Sequence, residues 1–193
     1  YSISKINLFL ECPYKFKKYY IDKIPEAKSK YLSFGLALED TIEHIFNNSN
    51  EYNTIFNDNI LKELIEKFWV CNQYKKEFSL KEKQTYKFLG FSSKKEEQEY
   101  KDKGFLYLKE YFSINKIEPQ YGFEIPIEVQ LKGRIFKGRI DHIKKQDNNL
   151  ILIDNKVSDK IIYNMEESLQ LGFYLYAMRV LKPRLKISHI GYY

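Results

Sequence analysis

The sequence is poor in the features that mark secreted and membrane proteins. Only two cysteines, Cys12 and Cys71, occur in 193 residues, far too few for the disulfide framework of a small secreted domain. No apolar run approaches the length of a membrane span, and no charged segment followed by an apolar signal core stands at the N-terminus. We therefore expect a soluble, cytoplasmic (intracellular) protein with no membrane partner.

A phosphate-binding Gly-x-x-x-x-Gly-Lys loop is also missing, so any nucleotide-driven motor would lie outside these residues. The chain does have enough apolar material, 44% of its residues, to build one compact domain over residues 1–193. Its formal net charge of +6 favours an anionic partner, since clustered Lys and Arg attract phosphates.

Residues 1–115 are predicted to be mainly helical. The first helix is expected to start at Ser2 or Ser4 and to reach Tyr20, with Pro13 as a kink or break. Apolar residues recur at helical spacing in three further stretches, which are residues 32–47, 58–76 and 93–114. A Lys-rich loop is expected at residues 24–30, and the mixed pattern of residues 77–92 predicts no particular state.

The period of the pattern changes in residues 116–193, which are predicted to form a sheet core. Three stretches rich in Ile, Val and Phe, separated by turn residues, predict successive antiparallel strands at residues 121–131, 134–145 and 150–154. Helical spacing returns at residues 166–181, Pro183 ends that helix, and a last strand is expected at residues 185–193. This order of elements indicates an α/β fold.

Two acidic residues and a lysine are expected to converge at one end of this sheet. Because strand side chains alternate between faces, Asp154 and Lys156 point the same way. A hairpin that turns on residues 147–148 puts Asp141 directly across from Asp154, whereas a turn on residues 148–149 puts Asp141 across from Lys156 on the same face. A three-residue turn would move Asp141 to the other face and count against a shared site.

Converging carboxylates are costly unless a cation or hydrogen bonds compensate them. Oxygen ligands of this kind select Mg²⁺ or Mn²⁺, which lowers the pKa of bound water and neutralises charge on a scissile phosphate. Lys156 would then orient the attacking water or stabilise the developing charge. For an isolated Asp-x-Lys, a solvated pair on an edge strand is the simpler interpretation, but the surrounding motifs favour a site.

Five motifs follow one another along the chain, namely Ser-Ile-Ser4 with Cys12-Pro-Tyr-Lys-Phe16, then Phe34-Gly-Leu-Ala-Leu-Glu39, Gly138-Arg-Ile-Asp141, Asp154-Asn-Lys156 and Gln170-Leu-Gly-Phe-Tyr174. In kind and in order they resemble the motifs of the RecB-like and AddB-like nucleases of the PD-(D/E)XK superfamily, including the CRISPR-associated RecB-like exonucleases. The resemblance implies a restriction-endonuclease-like core, with the order α-β-β-β-α-β and a mixed sheet, preceded by an N-terminal helical region. Residues 1–193 would then be a single nuclease domain whose catalytic sheet core is residues 116–193.

The resemblance also implies a set of metal ligands, namely Glu39, Asp141, Asp154 and the backbone carbonyl of Asn155, with Lys156 as the catalytic lysine. RecB-like sequences usually have His where this chain has Glu39. Other branches use Glu there, so the change supplies a third carboxylate, and oxygen suits Mg²⁺ better than imidazole nitrogen does. Glu43, one helical turn on, is the reserve ligand, and a solvent-facing Glu39 is the alternative.

Three further residues are expected near the site. Gln170 and Tyr174 lie one helical turn apart and would hydrogen-bond a substrate phosphate or hold Lys156 in place. For Tyr174, a purely structural role as a core aromatic has nearly equal weight. Arg139, two residues before Asp141, either contacts DNA or offsets the carboxylates, and the sequence leaves both open.

Basic and aromatic residues interleave near the N-terminus, as in a phosphate track with stacking platforms for bases. The residues expected to contact DNA there are Lys15, Lys17, Lys18 and Tyr19, flanked by Tyr14 and Tyr20. The alternative is biased composition, since the chain has 17 Tyr residues.

Cys12 raises the question of an iron–sulfur cluster, because many of these relatives hold one with this cysteine and three later ones. Such a cluster needs four thiolates, and the only other cysteine, Cys71, is predicted to lie in the middle of a helix. An iron–sulfur cluster is therefore not possible within these residues, and Cys12 is expected to be a buried apolar thiol.

The predicted activity is divalent-metal-dependent hydrolysis of phosphodiester bonds in DNA, either single-stranded or duplex with ends. An exonuclease role in DNA repair, recombination, phage replication or CRISPR adaptation follows from the resemblance alone, as does partnership with a helicase or with other recombination or CRISPR proteins. The rivals are a catalytically inactive nucleic-acid-binding scaffold of the same fold, a different metal hydrolase or an RNA nuclease, and the nuclease part of a larger helicase-nuclease machine.

Overall fold

The computed structural model describes residues 1–25, 27–81, 84–118, 120–146, 149–154 and 168–192. The chain divides into two compact units. Unit 1 contains Tyr1–Glu26 and Gln120–Tyr193, and unit 2 contains Ala27–Pro119. The predicted helical half is therefore divided, because its first helices belong with the sheet. The single nuclease domain over residues 1–193 stays a prediction.

The N-terminal segment of unit 1 is helical with a break near Pro13, as predicted. It comprises α1 (Ile3–Glu11), α2 (Pro13–Phe16) and a π-helix (Lys17–Ile21). Ser2 caps α1, because its Oγ accepts a hydrogen bond from the backbone N–H of Lys5 at 3.4 Å. Cys12 separates α1 from α2, and its Sγ accepts from the N–H of Lys15 at 3.4 Å. The expected buried thiol was wrong, because Cys12 is partly exposed.

Four strands form one mixed sheet in unit 1, in the spatial order β1-β2-β3-β4. Their bounds are Gly122–Leu131, Arg134–Gln146, Asn149–Asp154 and Ile187–Tyr192. The first two pairings are antiparallel, and β4 lies parallel to β3 after helix α9 (Leu169–Leu181). Since helix α8 (Lys94–Ile114) precedes β1 along the chain, the predicted order α-β-β-β-α-β is confirmed.

The two hairpins have the registers that the turn residues favour. Lys132 and Gly133 join β1 to β2 with φ angles of 47° and 73°, the positive values that a type I′ turn requires. In the second hairpin, Gln146 pairs with Asn149 and His142 pairs with Ile153. This is the register predicted for a turn on residues 147–148, which themselves lie outside the described residues. The other two registers considered from the sequence do not occur.

The core of unit 1 is built by the sheet and α9. Its buried side chains are Ile127, Val129, Ile140, Ile143, Leu150, Leu152, Leu171, Phe173, Tyr174, Ala177 and Met178. Gly138 permits close packing of the helix, because a Cβ at this position would lie 2.9 Å from the ring of Phe173. Ile3 of α1 packs against the same cluster. These contacts hold α9 against the strands that carry the predicted site.

The described residues of unit 2 form helices without strands. The helices are α3 (Lys30–Asn47), α4 (Ser49–Ile55), α5 (Asp58–Phe68), α6 (Asn72–Lys81), α7 (Thr85–Phe88) and α8. Helices α3 and α8 agree with the predictions, whereas α4 and α7 were not predicted. The single helix expected over residues 58–76 was wrong, and Cys71 lies between α5 and α6 rather than in the middle of a helix.

Tertiary contacts explain the break between α5 and α6. Trp69 is 3% exposed, its ring stacks on Phe91 with 5.8 Å between centroids, and its indole N–H donates to Glu97 at 2.9 Å. The carboxylate of Asp40 accepts from the backbone N–H of Asn72 at 2.5 Å and so satisfies a free donor at the start of α6.

Within the described parts of the chain, no helix combines the length and apolarity needed to cross a bilayer.

Candidate active site

The end of β3 carries a carboxylate that is removed from solvent. Burial alternates along this strand, so that Leu150, Leu152 and Asp154 are buried while the residues between them are partly exposed. Asp154 is 0% exposed. A carboxylate in such a position requires hydrogen bonds or a cation to offset the loss of hydration.

Two side chains of α9 supply hydrogen bonds to Asp154. Gln170 Nε2 donates to Asp154 Oδ1 at 2.7 Å, and the Tyr174 hydroxyl donates to the same oxygen at 3.4 Å. Gln170 also donates to the Tyr174 hydroxyl at 2.8 Å, which closes a three-residue network. The sequence predicted that the two α9 residues share a face, but it did not predict that both would contact Asp154.

The phenol of Tyr174 stays protonated in this network. Burial raises the pKa of Tyr174 well above its ordinary value, and the hydrogen bond from Gln170 lowers it by less. The negative charges of Asp141 and Asp154 raise the pKa further. Both carboxylates therefore lie close enough to Tyr174 to act on the same hydroxyl.

Asp141 is positioned by the hairpin register. The printed β2–β3 pairs end at His142 with Ile153, and the next position in the same register puts Asp141 opposite Asp154. Directly opposed side chains on antiparallel strands have Cβ atoms about 5 Å apart. Asp141 is partly exposed, so the pair presents one buried and one accessible carboxylate.

Arg139 forms an ion pair with Glu124 on the neighbouring strand. The β1–β2 ladder pairs Phe123 with His142 and Ile125 with Ile140 but skips the position between them, where Glu124 has φ of 50°. Positive φ is uncommon for a residue other than glycine, so the backbone is strained directly beside Asp141. Arg139 thus offsets the carboxylate of Glu124, and its contact with DNA stays a prediction.

A second network fixes the start of α9 and was not found from the sequence. Ser168 caps the helix, since its Oγ accepts from the backbone N–H of Leu171 at 3.2 Å. The hydroxyl of Tyr192 donates to the same Oγ at 2.6 Å, and Tyr192 pairs with Asp154 across β3 and β4. The helix that carries Gln170 is therefore tied to the sheet at the level of Asp154. A serine before an apolar helical run was the available signal.

His142, next to Asp141, is a buried neutral side chain. Burial lowers the pKa of His142 to about 4. Its ring stacks on Phe123 with 4.1 Å between centroids, and its Nε2 lies 3.2 Å from Gln120 Oε1. These contacts hold the His142 ring, and with it this part of β2, against Phe123 and Gln120.

Two predicted site residues, Asn155 and Lys156, lie outside the described residues.

The predicted ligand Glu39 and its reserve Glu43 belong to unit 2, on α3, and both are half-buried. Burial raises the pKa of Cys71, and the charges of Asp40 and Glu39 add to that rise, so Glu39 lies near this thiol. The amide of Asn47 donates to Glu43 at 3.4 Å. The metal-binding role of Glu39 stays a prediction.

The predicted DNA-contacting residues near the N-terminus lie on the π-helix and α2 of unit 1. The side chain of Lys17 is 60% exposed and lies 3.5 Å from the carboxylate of Asp22. The ammonium of Lys18 lies 5.6 Å from the ring centroid of Tyr19, so one face of that ring is occupied. Lys15 is half-buried and belongs to α2. These residues are neighbours along the chain, and their contact with DNA stays a prediction.

Comparison with known protein families identifies the superfamily of the chain. A family model, the PD-(D/E)XK nuclease superfamily, matches residues 1–189. The chain belongs to the PD-(D/E)XK nuclease superfamily. Neither a curated protein nor a solved structure matches the chain. The fold agrees with this assignment, since the mixed sheet and its helices follow the restriction-endonuclease-like arrangement.

Membership in the PD-(D/E)XK superfamily implies nuclease activity on a nucleic acid with divalent metal ions, typically Mg²⁺. The donor set of unit 1 fits such an ion, because Asp141 and Asp154 offer the carboxylate oxygens that Mg²⁺ prefers. Among the residues that the structure describes, no group of three or more His, Cys, Asp or Glu side chains is arranged to hold a metal. Mg²⁺ commonly takes only one or two protein carboxylates and keeps several waters, so two suffice.

Proposed function

We propose that this chain is a metal-dependent deoxyribonuclease of the RecB-like branch that acts as an exonuclease on DNA ends. The observation that carries the proposal is the buried Asp154, hydrogen-bonded by Gln170 and Tyr174, with Asp141 one position beyond the last described β2–β3 pair, His142 with Ile153, in the register that leads to Asp154. A fully buried carboxylate facing a second one is an expensive arrangement for stability alone, but it suits a cation site.

The proposed roles of Asp141 and Asp154 rest on their carboxylate oxygens, and those of Glu39, Asn155 and Lys156 rest on the resemblance to the RecB-like nucleases. Asp141 and Asp154 hold Mg²⁺ or Mn²⁺, and Glu39 and the Asn155 carbonyl complete the ligand set. When bound, the ion lowers the pKa of a water molecule and offsets charge on the scissile phosphate. Lys156 orients the attacking water or stabilises the developing negative charge. Gln170 and Tyr174 act as positioning residues, because both donate hydrogen bonds to Asp154 and Gln170 also donates to Tyr174. These three bonds hold the Asp154 carboxylate in one orientation.

The branch and the mode of action rest on the five motifs and their order. The motifs follow one another in the order of the RecB-like and AddB-like enzymes, although α3 has Glu39 where those enzymes usually have His. The other four are the Cys-Pro-aromatic start, the Asp141 strand, the Asp154 strand end and the Gln170–Tyr174 helix. Exonuclease action on DNA in repair, recombination, phage replication or CRISPR adaptation is proposed on this resemblance. A helicase or another recombination or CRISPR protein is the proposed partner.

A degradation assay tests the proposal. End-labelled single- and double-stranded DNA, linear and circular, are incubated with Mg²⁺, Mn²⁺ or EDTA, beside the corresponding RNA. We expect metal-dependent loss of linear DNA only, abolished in Asp154→Asn and Lys156→Ala. The matched control is Asp102→Asn, which removes an exposed carboxylate of unit 2 and should leave the rate unchanged.

Circular dichroism of each variant separates loss of the site from loss of the fold. Cutting of circular DNA would replace the exonuclease proposal with an endonuclease, and cutting of RNA alone would change the substrate. A well-folded wild type that cuts nothing under any metal would leave a nucleic-acid-binding scaffold as the function.

A further inference from the structure

The N-terminal helices of unit 1 expose an unusual number of large apolar side chains. In α1, α2 and the π-helix no residue is buried. Tyr14 is 76% exposed, Phe9 is 49% exposed and Tyr20 is 41% exposed. Among the large hydrophobic side chains that the structure describes, Tyr14 is the most exposed. We call Phe9, Tyr14 and Tyr20 the N-terminal aromatic surface.

Ring contacts order part of this surface and leave part of it open. Phe16 contacts Phe9 edge-on at 5.5 Å and Tyr20 at 5.2 Å between centroids, so these three rings support one another. The ammonium of Lys5 lies 4.7 Å from the Tyr20 centroid and covers one face of that ring. The ring of Tyr14 instead projects into solvent. A rigid flat ring held in water is a surface on which another flat apolar group can stack.

The net charge of unit 1 and of its N-terminal segment indicates the chemical class of the partner that carries such flat groups. Unit 1 has 17 Lys and Arg against 11 Asp and Glu, a formal charge of +6, whereas unit 2 has 15 of each and is neutral. Residues 1–25 alone contain five lysines and two acids. A partner that combines regular negative charge with flat apolar faces is a nucleic acid whose bases are unpaired, because in a duplex the base faces are already stacked.

The surface adjoins the candidate site within the same unit. Helix α1 packs on α9 and β2, which carry Gln170, Tyr174 and Asp141. The start of α1 is fixed to β2, since the backbone N–H of Lys137 donates to the carbonyl of Tyr1 at 2.8 Å. A strand bound along α1 and α2 therefore lies beside the elements that hold the two carboxylates.

We propose that the N-terminal aromatic surface binds single-stranded DNA, with unpaired bases stacked on Tyr14 and Phe9 and neighbouring phosphates neutralised by Lys15 and Lys17. The inference deepens the proposed nuclease function and rests on it for the biological role of the strand. Its consequence is that a single-stranded tail, rather than a blunt duplex end, is the preferred substrate.

Equilibrium binding in EDTA tests this without cleavage. Fluorescently labelled single-stranded DNA, a blunt duplex of the same sequence and a duplex with a single-stranded tail are titrated with the full chain. We expect the single-stranded and tailed DNA to bind more tightly than the blunt duplex. Loss of one stacked base should weaken single-strand binding by about 5- to 150-fold in Tyr14→Ala while blunt-duplex binding stays unchanged.

The matched control is Tyr31→Ala, because Tyr31 is 66% exposed but lies in the neutral unit 2. This variant should bind all three DNAs as the wild type does. Equal affinity of the wild type for single-stranded and blunt DNA, or an unchanged affinity in Tyr14→Ala, would overturn the inference. If Tyr14→Ala instead abolished self-association in sedimentation and left DNA binding intact, the surface would be a protein interface.

The binding result is independent of the nuclease assay. If the chain binds single strands through Tyr14 but cuts nothing, the binding inference is supported and the proposed nuclease function is contradicted. If Tyr14→Ala instead cuts tailed and blunt linear DNA with full activity, the proposed nuclease function is supported and the binding inference is contradicted.

Discussion

At the scale of single residues, the candidate site is organised around one oxygen atom. Asp154 Oδ1 accepts from Gln170 at 2.7 Å and from the Tyr174 hydroxyl at 3.4 Å, inside a core from which water is excluded. Charged acceptors make stronger hydrogen bonds than neutral ones, so these two donors offset part of the free energy that the Asp154 carboxylate loses on leaving water. They also fix the orientation of the Asp154 carboxylate.

Substitution of Tyr174 by Phe tests this arrangement. The change removes a donor to Asp154 and an acceptor for Gln170, and we expect stability to fall by about 1 kcal/mol for the lost hydrogen bonds. If Asp154 is a metal ligand, the Mg²⁺ concentration for half-maximal nuclease rate should rise as well. Unfolding by urea and a metal titration of the rate measure the two effects.

Tyr176→Phe is the control for this pair of measurements, because Tyr176 lies on the same helix but is 37% exposed. We expect it to change neither stability nor the metal requirement. A Tyr174→Phe protein that loses stability without any shift in metal requirement would assign Tyr174 to the core alone, the structural role that its sequence left open.

Gly138 and Gly172 differ in what surrounds them. A Cβ on Gly138 would meet the Phe173 ring at 2.9 Å, whereas a Cβ on Gly172, in α9, meets nothing within 4 Å. We expect Gly138→Ala to destabilise unit 1 by about 1–3 kcal/mol through overpacking. Gly172→Ala should instead stabilise by roughly 0.5–1 kcal/mol, because alanine favours the helix. Thermal unfolding of both variants decides this, and equal effects would contradict the close helix–sheet packing.

At the scale of elements, local patterns predicted the part of the chain that builds the site. Alternation and turn residues located β1 to β3, and they left two hairpin registers open, of which the turn on residues 147–148 is the one that occurs. The break after Phe68 was missed, because it depends on the burial of Trp69 and on the Asp40 carboxylate. Neither contact leaves a local signal in the sequence.

The same limit applies to the networks around the site. Helical spacing predicted that Gln170 and Tyr174 share a face, but their common target, Asp154 Oδ1, depends on how α9 crosses the sheet. The bond from Tyr192 to Ser168 joins residues 24 positions apart and is likewise a product of tertiary structure. The ligand roles of Glu39, Asn155 and Lys156 remain predictions.

The start of α8 gives a pH-dependent prediction at the element scale. Glu96 pairs with Lys30 and accepts from the backbone N–H of Ser92 at 2.6 Å, while its own N–H donates to Ser93 at 3.1 Å. The hydrogen bond from Lys30 is the main reason that the pKa of Glu96 is lowered from 4.5 to about 2. Because the folded pKa is the lower one, this stabilisation is complete above pH 4.5 and is lost as the pH falls toward 2.

Glu96→Gln should therefore lower the free energy of unfolding at neutral pH and lose this deficit in acid. Denaturant unfolding of wild type and variant at neutral and strongly acidic pH measures it. Glu99→Gln is the control, since Glu99 is 62% exposed and lies 3.9 Å from Lys95. A deficit of the same size at every pH would mean that the Glu96 charge contributes nothing to the capping of α8.

At the scale of the whole molecule, the charge is divided unevenly between the two units. The formal charge of +6 belongs to unit 1, which carries the sheet, Asp141, Asp154 and the N-terminal aromatic surface, while unit 2 is neutral. The basic residues are spread almost evenly, 17 in unit 1 and 15 in unit 2, so the difference in net charge comes from the acids, 11 against 15. The net positive charge of unit 1 favours a polyanion bound there, because fewer carboxylates oppose the attraction of phosphates by Lys and Arg.

The salt dependence of DNA binding tests this division. Each phosphate neutralised on a single strand contributes a slope of about −0.7 to the logarithm of the binding constant against the logarithm of salt concentration. We expect Lys15→Gln with Lys17→Gln to make this slope shallower by roughly 1.4 if each lysine contacts one phosphate. Lys94→Gln with Lys95→Gln removes the same charge from unit 2 and should leave the slope unchanged. If both pairs reduce the slope equally, DNA responds to the net charge of the chain, and the N-terminal segment has no special part in holding the strand.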